Sequence, residues 1–305
     1  MPLVKQKLLA VACILVTALV WGLMWFPFRA LNERGVSIPM TSLVVYLVAA
    51  TLGVAVFRDV FRRQFRFQPV LLPLAFLFGW CNFSYTWAVS EGLVMRVLLL
   101  FYLSPLWSVL FAWLLLKERL TRQGWLVVVL SLAGCMVILY RPGALDGAAM
   151  LSQRYEWLAL SGGVAFALGN VLSRGAKGLP VPVKSATIWV GVASMGFTSL
   201  WLHDSLPRLL TITPQGWLLL GILGCTLLAT SVISQHGVSQ LPATQTMTLM
   251  LMELVFAALS AWLLAHETMT ASEWLGGALI AGASLLSGGM TRKPEPRPSA
   301  NLETP

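Results

Sequence analysis

Charge is scarce in this chain. Asp, Glu, Lys and Arg make up 11% of its 305 residues, less than half of the roughly 25% usual in a soluble domain, which excludes an ordinary solvated surface. Histidine is rarer still. His203, His236 and His266 lie far apart and no HExxH spacing occurs, so the zinc-protease motif is excluded. The four cysteines, Cys13, Cys81, Cys135 and Cys225, each stand alone inside an apolar stretch. Neither a disulfide framework nor a metal cluster is expected from them, and no cofactor is expected.

What fills the chain instead is apolar side chain, 57% of the sequence, with a mean hydropathy of +0.78. This is the composition of an all-α integral membrane protein. A helix needs roughly 20 residues at 1.5 Å each to cross a hydrocarbon core of about 30 Å. Ten windows qualify: residues 8–28, 38–57, 69–89, 93–116, 124–140, 157–176, 184–203, 214–235, 241–265 and 273–290. The first runs past the core length of a signal peptide and lacks a clear small-residue cleavage site, so it is expected to be a helix.

The net charge of +9 is spread over short loops rather than gathered on one soluble face, which argues against a nucleic-acid partner. With the N-terminus inside, the cytoplasmic segments hold Lys5, Lys7, Arg58, Arg62, Arg63, Arg66, Lys117, Arg119, Arg122, Arg174, Lys177, Lys184, Arg292, Lys293 and Arg297. Arg29, Arg34, Arg96, Arg141, Arg154 and Arg208 are left outside. That bias has the direction of the positive-inside rule. Both termini are expected in the cytoplasm, and the membrane is expected to be the bacterial cytoplasmic (inner) one.

One phrase occurs twice. AWLLLKERLT begins at Ala112 and AWLLAHETMT at Ala261, with six of ten positions identical and a tryptophan four residues past each, Trp125 and Trp274. The offset of 149 also takes AVSEGL at Ala88–Leu93 onto GVSQLP at Gly237–Pro242, and an offset of 145 takes Trp21 to Phe166 and Arg29 to Arg174. Each copy closes the fourth helix of a five-helix half. Five is odd, so the second half enters the membrane from the opposite side and the repeats are inverted. The expected organisation is an N-terminal five-helix repeat over 1–142, an inverted C-terminal repeat over 155–290 and a disordered cytoplasmic tail, proline-rich and polar, over 291–305. Inverted halves that exchange conformations around a midplane site are the architecture of alternating-access transport.

The run SPLWSVLFAWLLLKERLTRQGW, Ser104 to Trp125, resembles the signature of EamA-type transporters of the drug/metabolite transporter superfamily: a proline early in the fourth helix, an apolar run ending in a Gly-Glu-Arg-like turn, and a tryptophan opening the fifth. Lys117 stands where glycine is common. The second copy departs further, with Glu253 and Leu254 at the positions of Ser104 and Pro105, and His266 before Glu267. The resemblance covers residues 8–290. It implies a transporter of amino acids, metabolites or drugs, coupled to proton or exchange gradients, while some members move nucleotide sugars. Glu118 and Glu267 read as structural, holding the adjoining loops through backbone N–H groups and nearby cations.

Glu253 is the outlier among the apolar residues, roughly 18 Å into its span and so near the bilayer middle. An acidic residue there costs about 2.5 to 3.5 kcal/mol on translocon scales, so it faces a cavity or a partner, or is protonated. It is the candidate for substrate binding and proton coupling. Thr246 and Ser260 lie seven positions either side of it, on one helix face. Arg96, matched to Gln245 in the repeat, either snorkels to the interface or turns inward to grip a carboxylate. Pro105 leaves the Phe101 carbonyl without its helical donor, so a kink is expected and Pro105 is the candidate hinge. Trp21 and Trp25 are one turn apart on the first helix, Asn82 and Tyr85 share a face of the third, and Tyr102 precedes the kink. Asn170 is the polar candidate from the second half. Trp113, Trp125, Trp262 and Trp274 read as interfacial belt residues.

The expected function is export of small amphipathic metabolites, amino acids or related zwitterions, by alternating access. The lining holds flat rings, neutral polar groups and one acid, and lacks the several cations an organic phosphate demands. Organic-cation drugs are the alternative substrate. An intramembrane enzyme would need a nucleophile with a base or a metal site, and a channel would need rings of selectivity residues from symmetric subunits. The expected partners are a small-molecule substrate and membrane lipids. Coupling mode and the choice between monomer and dimer stay open at this point.

Overall fold

A computed structural model describes residues 2–117, 119–139, 151–175, 178–203, 206–241, 249–250, 252–286 and 291–292. The described residues are almost entirely helical. In chain order the helices are α1 (Pro2–Leu23), α2 (Trp25–Glu33), α3 (Ile38–Val56), α4 (Arg58–Gln64), α5 (Leu71–Glu91), α6 (Val94–Phe101), α7 (Ser104–Leu116), α8 (Arg122–Leu139), α9 (Arg154–Gly175), α10 (Val181–Leu202), α11 (Pro214–Gln240), α12 (Met252–Ala265) and α13 (Ala271–Leu286). A 3-10 turn spans Leu206–Thr211. Five helical stretches are long and apolar enough to cross a membrane, Gln6–Glu33, Ile38–Val56, Val94–Leu115, Val181–Leu202 and Pro214–Gly237, and Met252–Ala265 is a shorter apolar helix.

Prolines set the helix breaks. Pro27 has no N–H for the Leu23 carbonyl and its ring crowds that oxygen, so α1 gives way to α2 at Met24, whose N–H bonds to the Trp21 carbonyl at 3.2 Å instead. Pro105 likewise has no N–H for the Phe101 carbonyl. The span expected over 93–116 is therefore two helices: the Leu103 N–H reaches back only to Leu100, and α7 starts from the Leu103 carbonyl. Elsewhere proline opens helices, where its missing donor is harmless: Pro39, Pro182 and Pro214 each sit in a first turn. Thr213 caps α11 by accepting from the Gly216 N–H at 3.2 Å.

The two halves of the chain interleave. α3 packs on α10 and α11, α5 on α9 and α10, α8 on α13, α1 on α11 and α12, and α6 and α7 on α9. Almost every extensive helix contact thus joins an element before residue 140 to one after 153. Small residues allow the closest crossings: a Cβ at Gly191 would lie 2.1 Å from the Ala75 carbonyl oxygen, and one at Gly22 would lie 2.9 Å from that of Glu253. One core joins α3, α10 and α11 around Tyr46 and Trp189, and a second joins α2, α5, α6, α9 and α12 around Trp25 and Leu98.

The duplicated phrase has one backbone form in both places. Lys117 and His266, at equivalent positions, both adopt φ of +53°, and among the described residues no other non-glycine has a positive φ. Each ends its helix in the left-handed region. Trp113, Trp125, Trp262 and Trp274 all face out of the bundle. At the far end of the chain, Thr291–Arg292 pairs antiparallel with Arg119–Leu120, so the expected tail starts with two residues in a bridge. The rest of that tail, Glu118 and Thr246 lie outside the described residues.

Candidate functional site

The centre of the candidate site is the gap between α6 and α7. Tyr102, in that gap, donates its phenol to Glu253 Oε2 at 3.0 Å, joining the broken helix to the first turn of α12. Tyr102 is the hydrogen-bond partner of Glu253 among the described residues, and no cation there lies within ion-pair distance of it. Rings surround the pair. Phe101 sits 5.1 Å from Tyr85 and 5.6 Å from Phe166 between centroids, and Phe166 lies 6.4 Å from Phe78 in an edge-on arrangement. The carbonyl of Phe101, left without a helical donor by Pro105, points at α9, where Gly163 leaves room: a Cβ there would lie 2.8 Å from that oxygen.

Around this centre the sequence candidates separate into three groups. Glu253, Tyr102 and Tyr85 come together, all half-buried. Asn82 and Asn170 flank the ring wall: Asn82 accepts from the buried Tyr46 hydroxyl at 3.1 Å and donates to the Phe78 carbonyl, while Asn170 donates to the Phe166 carbonyl of its own helix. Trp21 is half-buried and packs on the core of α3, α10 and α11, beside the point where Gly22 lets α1 cross α12 at Glu253.

Trp25 and Arg96 are placed otherwise than expected. Trp25 is 2% exposed and donates its indole N–H to Ser260 Oγ at 2.9 Å, and Ser260 in turn donates to the Gly22 carbonyl at 3.1 Å. An indole so enclosed locks α2 to α12 and offers no face to a solute, and Ser260 belongs to that lock. Arg96 neither snorkels nor opens to a cavity. It is 7% exposed, its Nε donates to Glu156 Oε1 at 2.6 Å, and its Nη1 lies 3.9 Å from Glu273 Oε1. Two carboxylates thus balance the charge of the guanidinium, and its Nη2 stays buried with no hydrogen-bond partner among the described residues. Thr246 falls outside the described residues.

Glu267 of the second phrase does what the sequence reading assigned to it. Its Oε1 pairs with Arg29 Nη1 at 3.3 Å and its Oε2 accepts from the Val94 N–H at 2.9 Å, capping α6. Arg29 Nη2 also donates to the carbonyls of Val89 and Gly92, both at 2.7 Å, which ties down the turn between α5 and α6. A cavity of about 450 Å³ borders this pair, lined by Arg29, Glu33, Glu91, Gly92, Tyr155 and Glu267 among others.

Sequence reasoning missed Phe101, Phe166 and Tyr46, which look like core residues in any apolar helix. It also missed Glu156 and Glu273. Both are the acidic ends of helix-start boxes: Glu156 Oε2 accepts from the Gln153 N–H at 3.1 Å, and Glu273 Oε2 accepts from the Thr270 N–H at 2.9 Å. The Thr270-x-x-Glu273 spacing is a visible signal for the cap, though not for the arginine on its other side.

Comparison with known proteins agrees with this geometry at the level of fold and class. A solved crystal structure, 18% identical, shares the fold with a TM-score of 0.59 over 92% of this chain and 97% of its own. The Bacillus subtilis protein named uncharacterized transporter YwfM is 27% identical over 241 residues, 75% of this chain and 78% of its own length. A second B. subtilis protein, uncharacterized transporter YojE, is 26% identical over 213 residues, 67% of this chain and 65% of its own. The model of the EamA-like transporter family matches residues 8–140 and again 153–289. Two matches of one model, together covering nearly the whole chain and each containing one copy of the phrase, make this integral membrane protein a member of the EamA-like transporter family.

Proposed function

We propose that the protein is a secondary active exporter of small amphipathic metabolites, amino acids or related zwitterions, working by alternating access and coupled to protons through Glu253. In this reading ten membrane helices form two inverted five-helix repeats, with both termini in the cytoplasm of a bacterial cell and the helices in its cytoplasmic membrane. The observation that carries the reading is the Glu253–Tyr102 pair at the break between α6 and α7. A carboxyl group in an apolar span, held by a phenol and faced by rings, suits a solute with an ammonium group and an apolar body. Cation–π attraction to Tyr85, Phe101 or Tyr102 adds about 0.5 to 2 kcal/mol. Trp21, Asn82 and Asn170 complete the proposed lining, and Pro105 the hinge.

A second reading is favoured by Arg96. A zwitterion needs a counter-ion for its own carboxylate, and the arginine that would supply one is held by Glu156 and Glu273. Organic cations without a carboxylate need none. The test is growth of cells expressing the protein on toxic amino-acid analogues and, separately, on toxic lipophilic amines. Protection from either, lost in Glu253→Ala and Trp21→Ala, supports ammonium export and the pattern chooses the class. Selective uptake of a phosphorylated solute into proteoliposomes, with no response to zwitterions or amines, overturns both readings.

A further inference from the structure

We infer that Arg96 is a gating residue for transport, because its buried ion cluster with Glu156 and Glu273 latches the first half of the chain to the second at one end of the bundle and must break for that end to open. The inference rests on the alternating-access reading. Arg96 belongs to the first turn of α6. Glu156 and Glu273 begin α9 and α13, in the other half. The neighbouring pair crosses in the same way: Arg29, on α2, meets Glu267, beyond α12. The two contacts are also joined to each other, since Glu267 accepts from the Val94 N–H two residues before Arg96. Displacing the start of α6 breaks both at once.

Burial makes this arrangement two-state rather than graded. Glu156 is 0% exposed, Glu273 6% and Arg96 7%, so the charges are little screened while together. Once apart they need water or new partners. The carboxylates are pinned to their helices by the backbone N–H groups of Gln153 and Thr270, which leaves the Arg96 side as the part that moves. An open depression of about 450 Å³ lies against the Arg29–Glu267 pair at that end.

The two ends of the bundle are not matched. Repeat offsets take Arg29 to Arg174 and Glu267 to Glu118, which keep both charge signs in the sequence, whereas Arg96 goes to Gln245 and Glu273 to Gly124. The repeat positions matched to Arg96 and Glu273 thus carry no charge. On this inference the latch holds the Arg29 end shut in the structure, and the charge difference between the repeats biases the protein toward that state.

Distance distributions between paired spin labels test this in a cysteine-free protein in lipid nanodiscs. Exposed Glu33 and Thr268 report on the Arg29 end, and exposed Arg63 and Val181 on the opposite end. Two variants are compared with the parent. Arg96→Gln installs the residue found at the matched position of the repeat, and Glu156→Gln with Glu273→Gln removes the charges while keeping an oxygen for each helix cap. Each variant is expected to move most of the population to a longer Glu33–Thr268 distance and to shorten Arg63–Val181. Unchanged distributions in folded variants, with reciprocal movement still driven in the parent by a toxic amino-acid analogue or a lipophilic amine, overturn the latch and leave alternating access standing. Absence of reciprocal movement in every protein and condition overturns both. If one variant fails to fold, as judged by thermal melting, the other decides.

Discussion

Glu253 is a carboxyl group in an apolar span, and its partner narrows what it does. A group that merely tied α12 to the α6–α7 break would be replaced well by an amide, which keeps both the shape and an acceptor for the Tyr102 phenol at 3.0 Å. A group that carries a proton through the cycle would not. Glu253→Gln is therefore expected to abolish transport driven by a pH gradient while sparing equilibrium exchange, read as counterflow in proteoliposomes with and without the gradient. Normal pumping by the variant would make Glu253 structural. Glu253 was legible in the sequence because one acid among apolar neighbours needs no partner to stand out. The partners of Arg96 and Trp25 were not legible, for the opposite reason. They are Glu156, Glu273 and Ser260, at separations of 60, 177 and 235 residues, and no local pattern carries that pairing. Trp25→Phe, which keeps the ring and loses the bond to Ser260, is expected to cost about 1 to 3 kcal/mol because the serine is left in a buried lock. A melting temperature equal to that of the parent would mean that packing alone holds α2 to α12.

At the scale of elements, the breaks and ends of helices were largely written in residue type. Pro105 announced the division of α6 from α7, and Pro27, by the same steric argument, accounts for the step from α1 to α2. The duplicated phrase announced two similar helix ends, and Lys117 and His266 share φ of +53°. Side chains other than glycine pay for that region by about 1 to 2 kcal/mol per residue, and glycine gives back part of the gain through its freer unfolded chain. Lys117→Gly and His266→Gly are each expected to raise stability by roughly 0.5 to 1 kcal/mol on that balance, measured as the midpoint of thermal unfolding in detergent. A lowered midpoint in either would show that its side chain makes contacts worth more than the relieved strain. Legibility stopped at α4 and the 3-10 turn of Leu206–Thr211, short elements outside the apolar windows that lack the long periodic signal by which helices are recognised.

At the scale of the whole molecule, the sequence suggested two halves, and the fold shows how closely they are joined. α5 lies between α9 and α10, and α3 between α10 and α11, so neither half buries its apolar faces without the other. That interleaving was not legible, because periodicity tells which face of a helix is apolar and not which distant helix covers it. The orientation of the halves remains a charge argument, and equivalent positions test it directly. Arg62, in α4, and Arg208, in the 3-10 turn, lie close to one repeat offset apart, and both are exposed. In a direct repeat they would face the same side of the membrane. In an inverted one, with an odd number of crossings in each half, they face opposite sides, and the positive-inside bias puts Arg62 in the cytoplasm. With Cys13, Cys81, Cys135 and Cys225 replaced, a cysteine at position 208 is expected to react with a membrane-impermeant maleimide added to intact cells. A cysteine at position 62 is expected to react only after the cells are opened. Labelling of both from the same side would exclude inverted repeats, and with them the exchange of conformations between the halves on which alternating access here depends.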